Sequence, residues 1–332
     1  MSRPSEAFRP PARLRNAHVQ SIYPSLPTRR PGVERRCRAL ITHAREVVLD
    51  CGEGVRLLAC ETTQERLGRP AARRVVVVLH GWEGSAQALY TLSLGQYLLD
   101  NGFDVVRLNL RDHGGSHALN EGLFHSCRIA EVVGAVRRVQ ELHPACALYL
   151  CGFSLGGNFA LRVAARARAA GIEIEGLVAI CPPLDPARTL ARLESGWWVY
   201  HRYFVWKWRQ SLRQKQAAWP HAYDLGDILH LDSLTAMTDV LVRRFTGFPS
   251  LADYLQGYAI TGDRLTGLAS PARIIAAADD PIIPADDLDR LAPSPQLTVT
   301  CSRFGGHCGF YEGGRGPTWL EREVLATFDA RR

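Results

Sequence analysis

The chain has little that would hold it in a membrane, in a disulfide framework or on a structural metal. No apolar run approaches the roughly 20 residues needed to span a bilayer. The first residues, MSRPSEAFRPPARLRN, lack the apolar core of a secretory signal. They are rich in Arg and poor in acids, but Pro4, Pro10 and Pro11 interrupt the amphipathic helix that an organelle transit peptide requires. A cytoplasmic protein is expected. The nine Cys are odd in number and include no CxxC pair, which argues against a disulfide framework and a zinc knuckle and leaves reduced, mostly buried thiols. Lysine is nearly missing: Lys207 and Lys215 stand against 38 Arg, which reads as genome composition more than mechanism. Acids are scarce at the start. Residues 1–45 hold ten Arg and only Glu6 and Glu34, a formal +8 in a chain whose total is +7. No nucleic-acid motif accompanies that charge, so nucleic acid is not an expected partner. Residues 1–44 are read as a basic extension packed on the body, with weak peripheral membrane contact kept open.

What is present is an alternation of strand and helix patterns. Arg45–Asp50 and Val55–Glu61 flank the turn Cys51-Gly52-Glu53-Gly54 and read as an antiparallel hairpin. The run RVVVVLH at Arg74–His80 suits a strand buried on both faces. Helical patterns over Ser85–Leu99, Cys127–Leu142 and Leu155–Ala170 then alternate with strands at Phe103–Leu110, Ala147–Cys151 and Gly176–Cys181. Strands at Ala272–Ala278 and Leu297–Cys301 and a helix at Trp319–Ala330 close the chain. The pattern predicts an α/β fold with a mostly parallel central sheet and helices on both faces. It is interrupted over 186–270, which reads as an inserted helical cap dividing the body into 45–185 and 271–332. The cap begins with an aromatic cluster, in which Trp197, Tyr200, Phe204 and Trp208 follow helical spacing. That stripe is read as packing between cap and body; the alternative is that part of it roofs an apolar substrate pocket.

Gly152-Phe153-Ser154-Leu155-Gly156 matches the G-x-S-x-G nucleophile elbow, with an apolar strand before it and a helix after it. A serine nucleophile needs a base, and the base an orienting acid. On such an elbow the order along the chain is Ser, acid, His. Asp279 and Asp280 follow the strand at 272–278, and Asp280, before Pro281-Ile282-Ile283-Pro284, is the preferred acid. His307, in Gly305-Gly306-His307-Cys308-Gly309, is the only His after it. Backbone N–H groups of Trp82 and Leu155 are the candidate oxyanion donors. His80, in the same loop as Trp82, is read as a structural holder of that loop.

Taken together, His80-Gly81, Gly152–Gly156, Asp280 and His307 resemble the α/β-hydrolase superfamily. Arg15-Asn16-Ala17-His18-Val19-Gln20, LHGWEGS at 79–85, GFSLGGN at 152–158 and GGHCGF at 305–310 resemble its YheT-like esterase branch. Asp112-His113-Gly114 departs from the branch pattern. The resemblance implies a serine carboxylester hydrolase acting on acyl esters, short- to medium-chain or lipid-derived, with no metal or organic cofactor. An acyltransferase or thioesterase using the same triad, or a hydrolase-shaped binding protein without turnover, are the alternatives.

Overall fold

The β-branched run Arg74–Leu79 forms a central strand, β3, whose side chains alternate between two apolar layers. Val75, Val77 and Leu79 enter one core, and Val76 and Val78 enter the other. Burial on both faces is what a continuous apolar strand requires. The computed structural model describes residues 7–314 and 316–330; residues 1–6 of the expected basic extension, Pro4 among them, lie outside the described residues. The remaining strands are β1 (Arg45–Asp50), β2 (Arg56–Thr62), β4 (Asp104–Leu108), β5 (Ala147–Phe153), β6 (Ile174–Ile180), β7 (Ala272–Ala277) and β8 (Leu297–Ser302). They make one sheet in the order β1-β2-β4-β3-β5-β6-β7-β8. The hairpin β1–β2 and the β2–β4 pair are antiparallel, and every other pair is parallel.

The N-terminal segment forms α1 (Ala17–Ile22), α2 (Arg30–Arg36) and α3 (Arg38–Thr42). Helices α4 (Leu89–Asp100), α5 (Ile129–Leu142), α6 (Leu155–Ala164) and α7 (Ala167–Ala170) belong to the body. α4 packs on the face that buries Val76 and Val78, and α5 and α6 on the other. Between β6 and β7 come α8 (Pro186–Ser195), α9 (Trp198–Ala218), α10 (Leu234–Phe245) and α11 (Leu251–Gly257), and α12 (Trp319–Asp329) closes the fold. Local sequence sets these starts. Asp185 caps α8 by accepting from Ala187 and Arg188 N–H, with Pro186 at its first position, and Ser233 and Ser250 cap α10 and α11. Helices α8, α9 and α10 share an apolar cluster that includes Leu193, Tyr200, Leu212, Leu234 and Met237, and α11 packs through Tyr254 and Leu255 on Val242.

Two expected helices differ from their patterns. α4 begins at Leu89 rather than Ser85, because the Asn109 side chain takes the Ala86 N–H and holds the preceding turn away from helical geometry. The pattern over 155–170 is broken after Ala164, and α7 is a separate turn ended by Gly171 at φ +66°. The N-terminal segment is bound to the body at several points. Phe8 is buried against Phe310 and Trp319, Leu40 is buried, and Gln20 is clamped to residue 311. No helix among the described residues is long and apolar enough to cross a membrane.

Candidate active site

Parallel strands deliver their loops to one edge of the sheet, where open α/β folds bind ligands. Trp82 follows β3, Ser154 follows β5, Asp280 follows β7 and His307 follows β8. Ser154 stands between β5 and α6 with φ +51° and ψ −122°, a conformation that costs energy for a residue with a side chain. Its neighbours explain how the turn fits. A Cβ on Gly152 would lie 2.2 Å from Gly156 O, and one on Gly156 would lie 2.5 Å from the carbonyls of Leu79 and His80. Only glycine permits the strand and helix to pass so closely. Ser154 N–H donates to Ile180 O at 2.7 Å, which fixes the elbow to β6.

Ser154 Oγ lies 2.9 Å from His307 Nε2, and His307 Nδ1 lies 2.8 Å from Asp280 Oδ2. With the ring neutral, the hydroxyl donates to Nε2 and Nδ1–H donates to the carboxylate. Asp280 Oδ1 accepts from Ile282 and Ile283 N–H at 2.8 and 2.9 Å, so its orientation is fixed. Asp279 points elsewhere and accepts from Gly306 N–H at 2.9 Å. The two adjacent carboxyls therefore divide the work: one meets the imidazole and the other holds its loop. Burial opposes charge on His307, but Asp280 and the neighbouring Cys308 outweigh it and hold the ring well above the ordinary imidazole range.

The loop after β3 approaches the serine closely: a Cβ on Gly81 would lie 3.2 Å from Ser154 Cβ. Trp82 and Leu155 both line the cavity, and neither N–H donates to a protein acceptor among the described residues. His80 does not face the serine. Its Nδ1–H donates to Gly81 O at 2.7 Å and its Nε2 accepts from Leu110 N–H at 3.1 Å. Burial lowers His80 to about 4, so the ring is neutral and ties the loop to its neighbour. His113 acts similarly, accepting from Glu83 N–H at 3.2 Å. Glu83 also lines the cavity beside Trp82, and burial raises its carboxyl to about 7.

The cavity holds about 850 Å³ over the strand ends and beneath the inserted helices. Of the aromatic stripe, Phe204 stacks on Trp82 with ring centroids 5.2 Å apart, and Trp208 meets Trp82 edge-on at 5.1 Å. These residues thus pack insertion to body and line the cavity at once. Trp197 instead precedes α9 and lies against His18 at 4.4 Å.

Several residues beside the site have no role that the sequence assigns. Ser21 Oγ accepts the His307 N–H at 2.8 Å. The Gln20 amide donates to Leu14 O and Tyr311 O and accepts from Tyr311 N–H. His18 Nδ1 lies 3.0 Å from the Tyr200 hydroxyl. These contacts give His18 and Gln20 the structural parts that sequence alone could not assign. Among the described residues, two groups of three side chains bring metal-ligating atoms within 4.8 Å: Cys181, His307 and Cys308, and Asp104, His143 and Cys146. In both, the two imidazole nitrogens are already engaged by carboxylates or by Ser154. The nine Cys are free thiols.

A family model described as alpha/beta hydrolase fold matches residues 74–314. The chain belongs to the α/β-hydrolase-fold family. Among curated proteins it is similar to the mouse phospholipase ABHD3, 22% identical over 268 residues that cover 76% of this chain and 62% of that one. It is also similar to the human monoacylglycerol lipase ABHD2, 22% identical over 277 residues, covering 75% of this chain and 64% of that one. The chain thus spans less than two thirds of the length of these relatives. Among solved structures, the Pyrococcus furiosus esterase Pf2001 shares the fold with a TM-score of 0.56 at 16% identity, over 86% of this chain and 92% of that one.

Proposed function

We propose that the chain is a serine hydrolase of carboxylic esters, with Ser154 as nucleophile, His307 as general base and Asp280 as the acid that orients it. The observation that carries this reading is the hydrogen-bonded series Ser154–His307–Asp280, at 2.9 and 2.8 Å, opening onto an apolar cavity. Ser154 Oγ attacks the ester carbonyl while its proton passes to His307 Nε2. The oxyanion lies against the N–H groups of Trp82 and Leu155. His307 returns the proton to the departing alkoxide, which leaves an acyl-serine and a free alcohol. Water then gives a proton to Nε2 and attacks the acyl-serine, and the acid leaves as Oγ regains its hydrogen. Asp280 holds Nδ1–H in the required tautomer throughout.

The aromatic lining and the cavity volume favour an acyl ester with a substantial apolar part, short- to medium-chain or lipid-derived. The finer placement in the YheT-like esterase branch rests on the elements at 15–20, 79–85, 152–158 and 305–310, all of which meet at this site. A series of p-nitrophenyl esters from acetate to palmitate tests the activity and sizes the cavity together. The reading predicts turnover with a preferred chain length that Ser154→Ala abolishes. Turnover of no ester in the series would contradict it.

A further inference from the structure

The large apolar side chains exposed on this protein are not scattered. Nine are exposed among the described residues, and six of these lie on two segments: Val19 and Tyr23 at the N-terminus, and Trp197, Trp198, Tyr203 and Trp206 at the start of α9. Trp198 is 61% exposed, Trp206 54% and Tyr203 50%. His18 joins the two segments, with its ring against Trp197 and its Nδ1 on the Tyr200 hydroxyl. The same two segments form much of the opening of the cavity. Ser25, Pro27, Arg30, Tyr203, Gln210 and Gln214 are at once exposed and cavity-lining, and Gln87, Gly114 and Gly115 complete the rim. The exposed rings therefore lie along one side of the entrance to Ser154.

Charge on this rim has one sign. Residues 17–30 and 197–214 hold six Arg or Lys and no Asp or Glu. On α9, Trp198, Arg202, Trp206, Arg209 and Arg213 follow spacings of three and four, so two Trp and three Arg share one stripe of the helix. The Arg202 guanidinium sits 5.7 Å from the Trp198 ring. Arg209 pairs with Asp232 and Arg30 with Glu34, while among the described residues Arg202, Lys207 and Arg213 make no ion pair. A helix with this composition suits the plane of a membrane surface. Indole and phenol rings favour the boundary between headgroups and acyl chains, and cations are drawn to anionic headgroups.

We propose that this rim docks on an anionic lipid bilayer and that the ester substrate enters from that surface. The bilayer is preferred over a second copy of the chain because a copy would bring a rim of like charge against this one. The proposal rests on the ester-hydrolase reading for its substrate, but docking itself is independent of chemistry, and the experiment separates them. Full-length Ser154→Ala protein is sedimented with vesicles of phosphatidylcholine alone or with about one quarter phosphatidylglycerol. The expected result is binding to the anionic vesicles only, lost by adding on the order of 0.5 M salt. The pairs Trp198→Ala with Trp206→Ala, and Arg202→Glu with Arg213→Glu, should each weaken binding about tenfold or more. These four side chains lie outside the cavity. In the Ser154 background, hydrolysis of a soluble short ester should stay within about twofold, while hydrolysis of the same acyl group presented in vesicles falls about tenfold. Unchanged melting temperatures show that the variants are folded. No vesicle binding, or binding that the four substitutions leave intact, would overturn the proposal, as would a dimer in solution that the same substitutions dissociate. Binding by a protein that hydrolyses no ester would instead retain the docking surface and reject the chemistry.

Discussion

Ser154, His307 and Asp280 can be tested one at a time. Removing the nucleophile of a triad costs about a million-fold in kcat, so Ser154→Ala should leave no measurable ester turnover above background. His307 must be neutral to accept the serine proton. Because Asp280 and Cys308 hold it above the ordinary imidazole range, kcat/KM should climb with pH along a limb lying above pH 6.5. Asp280→Asn removes the main cause of that elevation and disturbs the tautomer. It should move the limb toward lower pH and lower kcat by about ten-thousand-fold. A limb that does not move would show that Asp280 does not set the proton affinity of His307. The choice between Asp279 and Asp280 was legible in sequence only as a preference for the residue before Pro281-Ile282-Ile283-Pro284. What favours Asp280 is three-dimensional: both Asp280 oxygens are engaged, one by the imidazole and one by two backbone N–H groups.

At the level of elements, the signals that read cleanly were local ones. The β3 run and the elbow between β5 and α6 are each written within a dozen residues, and each formed where its pattern lies. The support of the His307 loop was illegible because its partners are about 290 residues away. Gln20 and Ser21 on α1 bind Tyr311 and His307 through groups that no periodicity marks. Gln20→Ala breaks two hydrogen bonds to Tyr311 and one to Leu14, and should lower kcat by about tenfold to a hundredfold. The protein should stay folded and Ser154 should stay open to labelling, as steady-state and labelling kinetics together would show. The insertion is held by an element contact that was equally hidden. The buried Lys215 ammonium on α9 donates to Asp112 at 2.9 Å and to the carbonyls of Asn120 and Gly122 at 2.6 and 3.2 Å. Burial pulls both partners toward their neutral forms, yet removal of one would leave the other unpaired. Lys215→Ala should destabilise the protein by about 3–5 kcal/mol in urea unfolding. A near-scarcity of lysine that looked like genome composition thus includes one residue with a specific structural place.

For the whole molecule, the sheet places its chemistry at one edge, and a buried charged cluster stands away from it. His143 lies 3.1 Å from Glu61 and 3.3 Å from Asp104, far along the sheet from the elbow in strand direction, beside the start of β4. Burial opposes its charge, but hydrogen bonds with Asp104, Cys146 and Glu61 prevail and raise it to about 11. The stabilisation is complete below the unfolded value of about 6.5 and is lost as pH rises toward about 11. Urea midpoints should therefore fall across that alkaline range, and His143→Gln should flatten the fall. The aromatic stripe shows how a sequence underdetermines the whole. Helical spacing correctly grouped Tyr200, Phe204 and Trp208, but α9 is aromatic on two sides. Only the assembled fold shows that one side lines the cavity and that Trp198, Tyr203 and Trp206 face outward at its entrance.

The central claim is that Ser154 is the nucleophile. Incubation of the full chain with a fluorophosphonate probe, followed by digestion and mass spectrometry, measures this directly. One adduct per chain is expected, on Ser154, absent from Ser154→Ala and much slower to form in His307→Ala. An adduct on another residue, or labelling that survives Ser154→Ala, would contradict it.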